Sequence, residues 1–353
     1  MPRCGSQVPI CDVPVRFDDY VGCSHSCKYC FTRRKMDEHI GQEAEIEMGE
    51  GVQSLENFIN GDRRGEVSWV DPDWKIPVHI GGMSDPLQPL EREQRRTLKC
   101  LKLLARTRYP FIISTKGIAS IDKEYLDLWP QCNVCFQVSL VSPNYDVLEP
   151  GAPPFAKRLE IIRAISCVVP RLIVRIQPYM VDQLATVLQT TLPAIREAGA
   201  YGLVIEGMKF FASKPPGTIS LGSDFVYPKE ILLDHFLQIR EKAKSLGLAF
   251  YCGENRLRTL GDSLTCCGCG GMEGFRPNTF NLNHIYAGEN PQPTPAQKAV
   301  GNTVCYKTLT QTCWASDVLD QLTFESVMRA IARSKFGYKI MGLETKDKES
   351  LFF

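Results

Sequence analysis

No apolar run of roughly 18 or more residues occurs in this chain, so no membrane-spanning helix is expected. An excess of charge is missing too. The 41 Lys and Arg against 40 Asp and Glu leave a formal net charge of +1. A strongly basic balance, the electrostatic footprint of many nucleic-acid binders, is absent, so composition argues neither for nor against such a partner. There is no internal repeat of fixed period and no low-complexity tract, which sets aside solenoids and disordered linkers. The first residues, MPRCGSQVPICD, lack the apolar core of a signal peptide, and a cytoplasmic protein is expected.

What is plentiful is cysteine, 15 in 353 residues. In a short exported chain that number would mean a disulfide scaffold. In a long chain without an export signal, reduced thiols, metal ligands and core cysteines are expected instead. Cys100, Cys132, Cys135 and Cys167 stand in apolar patterns and read as core residues. Hydrophobic content of 44% suffices for a large core.

Apolar β-like runs alternate with amphipathic helical stretches. Candidate strands are VRFDDYVG (15–22), IPVHIGG (76–82), FIIST (111–115), VCFQVSL (134–140), RLIVRIQP (171–178) and YGLVIEG (201–207), with LAFYCGEN (248–255) as a further one. LEREQRRTLKCLKLLAR, PFAKRLEIIRAIS, LATVLQTTLPAIREAG and KEILLDHFLQIREKAKSLG read as helices. The last of these ends in Lys and Gly, a helix stop. This alternation implies parallel β/α units, a partial (β/α)6 barrel over 1–254, with chemistry carried on the loops after the strands. Two segments break the rhythm: an insertion near 36–73, and the Pro/Gly/Ser-rich 212–228, read as a loop over one face. Residues 255–353 read as an appended cysteine-rich C-terminal region, with the Pro-rich NPQPTP and one amphipathic helix near 317–335.

The loop GCSHSCKYCFTRR holds Cys23, Cys27 and Cys30. Three thiolates suit a four-iron cluster that keeps one iron open for a substrate or cofactor. A zinc site completed by His25 or a distant cysteine is the alternative, since zinc wants four ligands. Gly22 permits the turn, and the aromatic Tyr29 and Phe31 can shield a cluster or stack on a ligand. Downstream, Gly81 and Gly82 let backbone approach a ligand. Gln137 and Ser139 share one side of their strand, as do Arg175 and Gln177. Arg158 has the fork of a carboxylate partner. Ser114 and Lys116 lie at the end of the third strand.

A CxxxCxxC loop with an aromatic before its last cysteine, after the first strand of a β/α series, resembles the radical S-adenosylmethionine (SAM) superfamily. The resemblance covers roughly 12–254. It implies a 4Fe-4S cluster on Cys23, Cys27 and Cys30. The open iron would take the amino and carboxylate groups of SAM, and reduction would cleave SAM to a 5′-deoxyadenosyl radical that abstracts hydrogen from a substrate. It further implies SAM contacts from Tyr29, Gly81, Gly82, Ser84, Gln137, Ser139, Arg158, Arg175 and Gln177, and a one-electron donor of flavodoxin or ferredoxin type. SDPLQPLE, STKG and SLVSPNYDVLEPGAPPFAKRLE look like the spore photoproduct lyase-like branch, whose namesake repairs a thymine dimer in DNA. Two positions depart from that lyase. Gly82 stands where it has a hydrogen-donating cysteine, and Phe31 stands where it has a tyrosine. The branch is therefore implied and the dimer-repair reaction is not. A nucleobase or nucleoside is the first candidate substrate, in base modification or repair. A peptide or small metabolite is the alternative, and a non-catalytic zinc-binding protein the third.

A second group, Cys252, Cys266, Cys267 and Cys269, lies around glycines 268, 270 and 271, with Cys305 and Cys313 further on. Its expected role is an auxiliary iron–sulfur cluster or a structural zinc, with free thiols as the alternative.

Overall fold

The computed structural model describes residues 2–4, 11–32, 47–67, 70–211, 214–221, 224–279, 281, 283, 284, 287 and 289. Seven parallel strands lie side by side in chain order: β1 (Val15–Phe17), β2 (Val78–Ile80), β3 (Phe111–Thr115), β4 (Val134–Ser139), β5 (Arg171–Tyr179), β6 (Gly202–Gly207) and β7 (Ala249–Cys252). Arg3–Cys4 adds an antiparallel edge beside β1. Among the described residues it is not paired with β7, so the sheet is open. These runs are rich in Val, Ile and Phe, which pack well on a pleated surface buried on both faces. β3 is buried along its whole length.

The helices α1 (Val52–Ile59), α2 (Arg96–Thr107), α3 (Phe155–Ser166), α4 (Leu192–Glu197) and α5 (Lys229–Ser245) cover the outer face. Leu101, Leu104, Ile161, Ile165, Phe236 and Ile239 pack there with Phe17, Ile80, Ile113, Phe136, Val174 and Ile205. Among the described residues no helix is long and apolar enough to cross a membrane.

Three expectations need correction. Cys167, read as a core residue, is exposed just past the last turn of α3, with its thiol 3.4 Å from the Arg163 carbonyl. The helical stretch from Leu90 is broken at Arg95, which has a left-handed φ of 54°. The cause is Glu91, fully buried, whose carboxylate accepts from the Thr97 and Leu98 amides at 3.0 and 2.8 Å and caps the start of α2. It also accepts from the Tyr125 hydroxyl at 2.6 Å and from Tyr20. The segment 212–228, read as a loop, contributes to a three-stranded antiparallel sheet of Lys209–Phe210, Ile219–Leu221 and Asp224–Val226. Strands of two or three partly exposed residues carry no hydrophobic alternation to betray them. The NPQPTP segment, the helix expected near 317–335, Cys305 and Cys313 lie outside the described residues.

By the period of two, residues between the outer-facing core positions point into the lumen. Its floor is apolar: Val13, Ile112, Cys135, Ile173, Val204 and Tyr251 pack against Cys269, Met272 and Phe275. The segment after β7 therefore plugs the barrel from below. Arg171 Nη1 donates to the Gly268 and Gly270 carbonyls at 2.8 Å each, and Gln137 Nε2 donates to the Cys267 carbonyl at 2.8 Å. Gly268, at φ 73°, passes so close that a Cβ would sit 2.7 Å from Ile173.

Asp12 ties this segment down. It accepts from Thr265 Oγ1 at 2.6 Å, Asn281 Nδ2 at 2.8 Å and His284 Nε2 at 2.9 Å. Burial opposes the proton on His284, but the bond and charge of Asp12, helped by Glu289, win and raise its pKa. A raised folded pKa gives stability that is fully present below the unfolded value of about 6.5 and is lost as pH rises through the folded one. His284→Ala is expected to lower the Tm more near pH 6 than near pH 8.5. Equal losses at both, in thermal scans, would show that the ion pair is not what holds the segment.

Candidate active site

The cysteine loop leaves β1 through Tyr20–Val21 and turns at Gly22, which has a φ of 95°. Cys27 is buried, Cys23 and Cys30 are half-buried, and all three are free thiols. Burial pushes the Cys23 thiol up to about 12, with the nearby Asp85 charge adding to it. Burial raises Cys27 as well, although Lys116 pulls it back. As thiols these groups sit uncomfortably; a positive metal centre is what would favour their thiolates.

The loop is held from two sides. From the segment after β2, Gln88 accepts from the Ser24 amide at 2.9 Å and donates to the Gly22 carbonyl at 3.3 Å. From the segment before α3, the Lys28 amide donates to the Leu148 carbonyl at 2.8 Å, and the Gly151 amide to the His25 carbonyl at 3.0 Å. A Cβ on Gly151 would lie 2.2 Å from the Ser24 carbonyl oxygen. His25 bridges the two sides: Nδ1 donates to the Gly151 carbonyl and Nε2 to Asp85 Oδ2, both at 3.0 Å. With both ring nitrogens engaged, His25 is a brace of the loop and has no nitrogen to offer zinc.

Asp85 is the hub. Besides His25, it accepts from the Leu87 amide at 2.9 Å, Thr115 Oγ1 at 2.6 Å and the Lys116 amide at 2.6 Å. Burial alone would raise its pKa. The charge and bond of His25, then the Lys116 and Thr115 bonds, overcome this and hold it near 2. Tyr29 donates to the buried Glu149, which is paired with Arg158 and lies 3.8 Å from Lys116 Nζ. Arg158 also donates to the Ser139 carbonyl at 2.9 Å.

Above the apolar floor lies a polar layer. Ser114 Oγ and Arg175 Nη1 donate to Gln137 Oε1 at 2.8 and 2.6 Å, and His79 Nε2 meets Ser114 Oγ at 2.7 Å. Burial, with Arg175 and Arg16 nearby, drives the His79 pKa down to about 3, so the ring is neutral. On the far wall Gln177 Nε2 donates to Glu206 Oε2 at 2.7 Å, and Lys209 Nζ donates to Glu206 Oε1 at 2.6 Å. Among the described residues the buried Gln177 Oε1 has no hydrogen-bond partner. An orphaned buried acceptor costs free energy, which a ligand N–H or O–H would recover.

This places the residues singled out from sequence. Gly81 has a φ of 85°, and a Cβ there would meet the Ser114 carbonyl oxygen at 2.4 Å, so the bare backbone is required. Gly82, Ser139, Arg175 and Gln177 line the lumen. Ser84 is buried and donates to the Tyr20 carbonyl at 2.8 Å. Tyr29, Gln137 and Arg158 are each bound to protein partners. Of the second cysteine group, Cys269 packs in the lumen floor and Cys252 ends β7 with Sγ 3.6 Å from the Glu254 carbonyl. A bond from Cys267, aided by Arg258, lowers the Cys266 pKa. Among the described residues no three His, Cys, Asp or Glu side chains converge on a point where one metal ion would sit. Sequence reading missed Asp85, Gln88, Glu149 and Glu206, each of which has a partner more than 25 residues away (His25, Ser24, Tyr29 and Gln177), and Arg16, which has no hydrogen-bond or ion-pair partner among the described residues.

The chain has the fold of spore photoproduct lyase. That lyase complexed with dinucleoside spore photoproduct aligns with a TM-score of 0.56 at 15% identity, over 71% of this chain and 78% of the lyase. A point mutant of it gives 0.55 at 16% identity over the same shares. A double mutant with bound AdoMet and dinucleoside spore photoproduct gives 0.53 at 14% identity, over 68% and 76%. No protein-family model and no curated protein sequence matches the chain. The expected partial α/β barrel is thus the fold observed.

Proposed function

We propose that this chain is a radical SAM enzyme that abstracts hydrogen from a nucleobase or nucleoside. One observation carries the reading: three free thiols on one braced loop, with no fourth ligand from His25, on a barrel fold shared with a lyase solved with AdoMet. The donor set fits a 4Fe-4S cluster, one thiolate each from Cys23, Cys27 and Cys30. When bound, cluster and SAM together supply one-electron chemistry for hydrogen abstraction.

The chain's own residues position and exclude. Gly81 and Gly82 offer bare backbone at the end of β2. Ser139, Arg175 and Gln177 face the lumen, and the orphaned Gln177 Oε1 accepts a ligand N–H or O–H. The plug below the floor keeps solvent from entering beneath. A flavodoxin- or ferredoxin-type donor would meet the outer side of the loop, where Lys28 and Phe31 are exposed.

The substrate class rests on the likeness to a lyase solved with a dinucleoside. The dimer-repair reaction itself is set apart by Phe31 and Gly82. A Cβ on Gly82 would meet only Arg16 and Asp18, at 3.6 Å and beyond, and its φ is not left-handed. Nothing in the fold demands glycine there, so the missing thiol is a matter of chemistry. The near-neutral net charge keeps a peptide or metabolite substrate as the second reading.

Anaerobic reconstitution with iron and sulfide is expected to give about four irons per chain and 5′-deoxyadenosine from SAM under dithionite. About eight irons would assign a further cluster to the group at Cys252, Cys266, Cys267 and Cys269. A colourless protein with stoichiometric zinc and no 5′-deoxyadenosine would overturn the proposal.

A further inference from the structure

Arg16 and Arg175 are lumen-facing guanidiniums that form no salt bridge among the described residues, although Asp18 feels the charge of Arg16 and Glu206 that of Arg175. Arg16 sits on β1 opposite His79, between the outward-facing Val15 and Phe17. Among the described residues its side chain has no hydrogen-bond or ion-pair partner, and it runs beside Gly82. Arg175, on β5, spends Nη1 on Gln137 at 2.6 Å and Ser114 Oγ at 3.5 Å, and among the described residues its Nε and Nη2 have no hydrogen-bond partner. The two carboxylates that feel these charges also hold other partners. Asp18 accepts from the Met83 amide at 2.8 Å, and Glu206 is held by Lys209 and Gln177. His79 lies close enough to both arginines to feel each charge, and it stays neutral.

Two like charges facing one lumen repel, and a fold keeps such an arrangement at a cost unless an anion completes it. We propose that Arg16 and Arg175 together bind a phosphate group of the substrate, so that the enzyme acts on a nucleotide rather than a free base or nucleoside. A carboxylate has two oxygens in one plane and suits a single fork. A tetrahedral phosphate offers oxygens in several directions and can meet forks arriving from β1 and β5 at once. This deepens the substrate half of the proposed function and rests on it. It does not require the cluster.

The test is calorimetric titration of the reconstituted full chain with thymidine 5′-monophosphate, thymidine, inorganic phosphate and acetate, repeated on the Cys27→Ala variant. The monophosphate is expected to bind at least tenfold more tightly than thymidine on both proteins. Inorganic phosphate, and not acetate, should displace it. Arg16→Gln should weaken the monophosphate at least tenfold and leave thymidine unchanged. Arg16→Lys, which keeps the charge and loses the fork, should fall between, and it decides the matter if the glutamine variant does not fold. Equal binding of nucleotide and nucleoside, or parent-like binding by Arg16→Lys in that case, overturns the proposal. So does displacement by acetate as effective as by phosphate. Competition between S-adenosylhomocysteine and inorganic phosphate would overturn it as well, because the anion would then be the carboxylate of SAM. A failed radical reading shows separately, as absent 5′-deoxyadenosine with anion binding intact.

Discussion

Cys27→Ala is expected to yield a folded, colourless protein that makes no 5′-deoxyadenosine. The thiol is buried in a loop whose shape is set by other groups: His25 on Asp85, Ser24 on Gln88, Lys28 on Leu148 and Gly151 on His25. Removing one sulfur from that frame costs about 1 kcal/mol of burial and packing, too little to unfold the barrel. The chemistry is another matter. A cubane with two remaining protein thiolates has lost a ligand, and a competent cluster is all or nothing for one-electron cleavage. The useful control is Cys100→Ala. That thiol is buried in α2 on the outer face, far in role from the loop, so its loss should lower stability and leave iron content and SAM cleavage unchanged. Iron per chain, absorbance of the reconstituted protein and 5′-deoxyadenosine yield read the outcome. Persistent 5′-deoxyadenosine from Cys27→Ala would refute the assignment of this loop.

Why these cysteines could be picked out from sequence, and their supports could not, follows from the range of the interactions. The barrel strands announce themselves locally: FIIST and VCFQVS are short, β-branched and aromatic, and buried strands need nothing more. Period two then places Ser139 beside Gln137, and Gln177 beside Arg175, on the lumen side without any structure. The loop's three thiols are legible because their spacing falls within a few residues. Asp85 looks in sequence like part of a polar turn, SDPLQPLE. Only the fold brings it to His25, 60 residues away, and to Thr115, 30 residues away. Arg158 was readable as a carboxylate binder, and the fold supplies a carboxylate, Glu149. Arg16 carried no signal at all, since one arginine in a three-residue strand looks like any surface residue until the opposite wall is in place. The small antiparallel sheet around 209–226 escaped for the converse reason: its turns carry the Pro and Gly of a loop, and its strands are too short to show a period.

Asp85→Asn should be the most damaging conservative substitution near the site. The carboxylate accepts four bonds, from His25, Leu87, Thr115 and Lys116, and donates none. An asparagine must turn its NH2 toward two of those donors, leaving buried N–H groups facing one another. Unsatisfied buried donors and the loss of a charged partner put the cost at about 3 kcal/mol. The linkage argument gives a similar scale independently. The Asp85 pKa falls from 3.8 to about 2, which corresponds to about 2 kcal/mol of stabilisation. A depressed carboxylate contributes its stability above the unfolded pKa and loses it as pH falls through the folded one. The parent should therefore exceed Asp85→Asn in stability at pH 7, and the gap should narrow steadily between about pH 4 and pH 2. Urea titrations across that range measure it. The same substitution frees His25 and slackens the cysteine loop, so reconstituted iron should drop with stability, although no thiol has been touched. A variant that unfolds at the parent's urea midpoint and retains a full complement of iron would show that the loop is held by Gln88 and the Gly151 backbone alone.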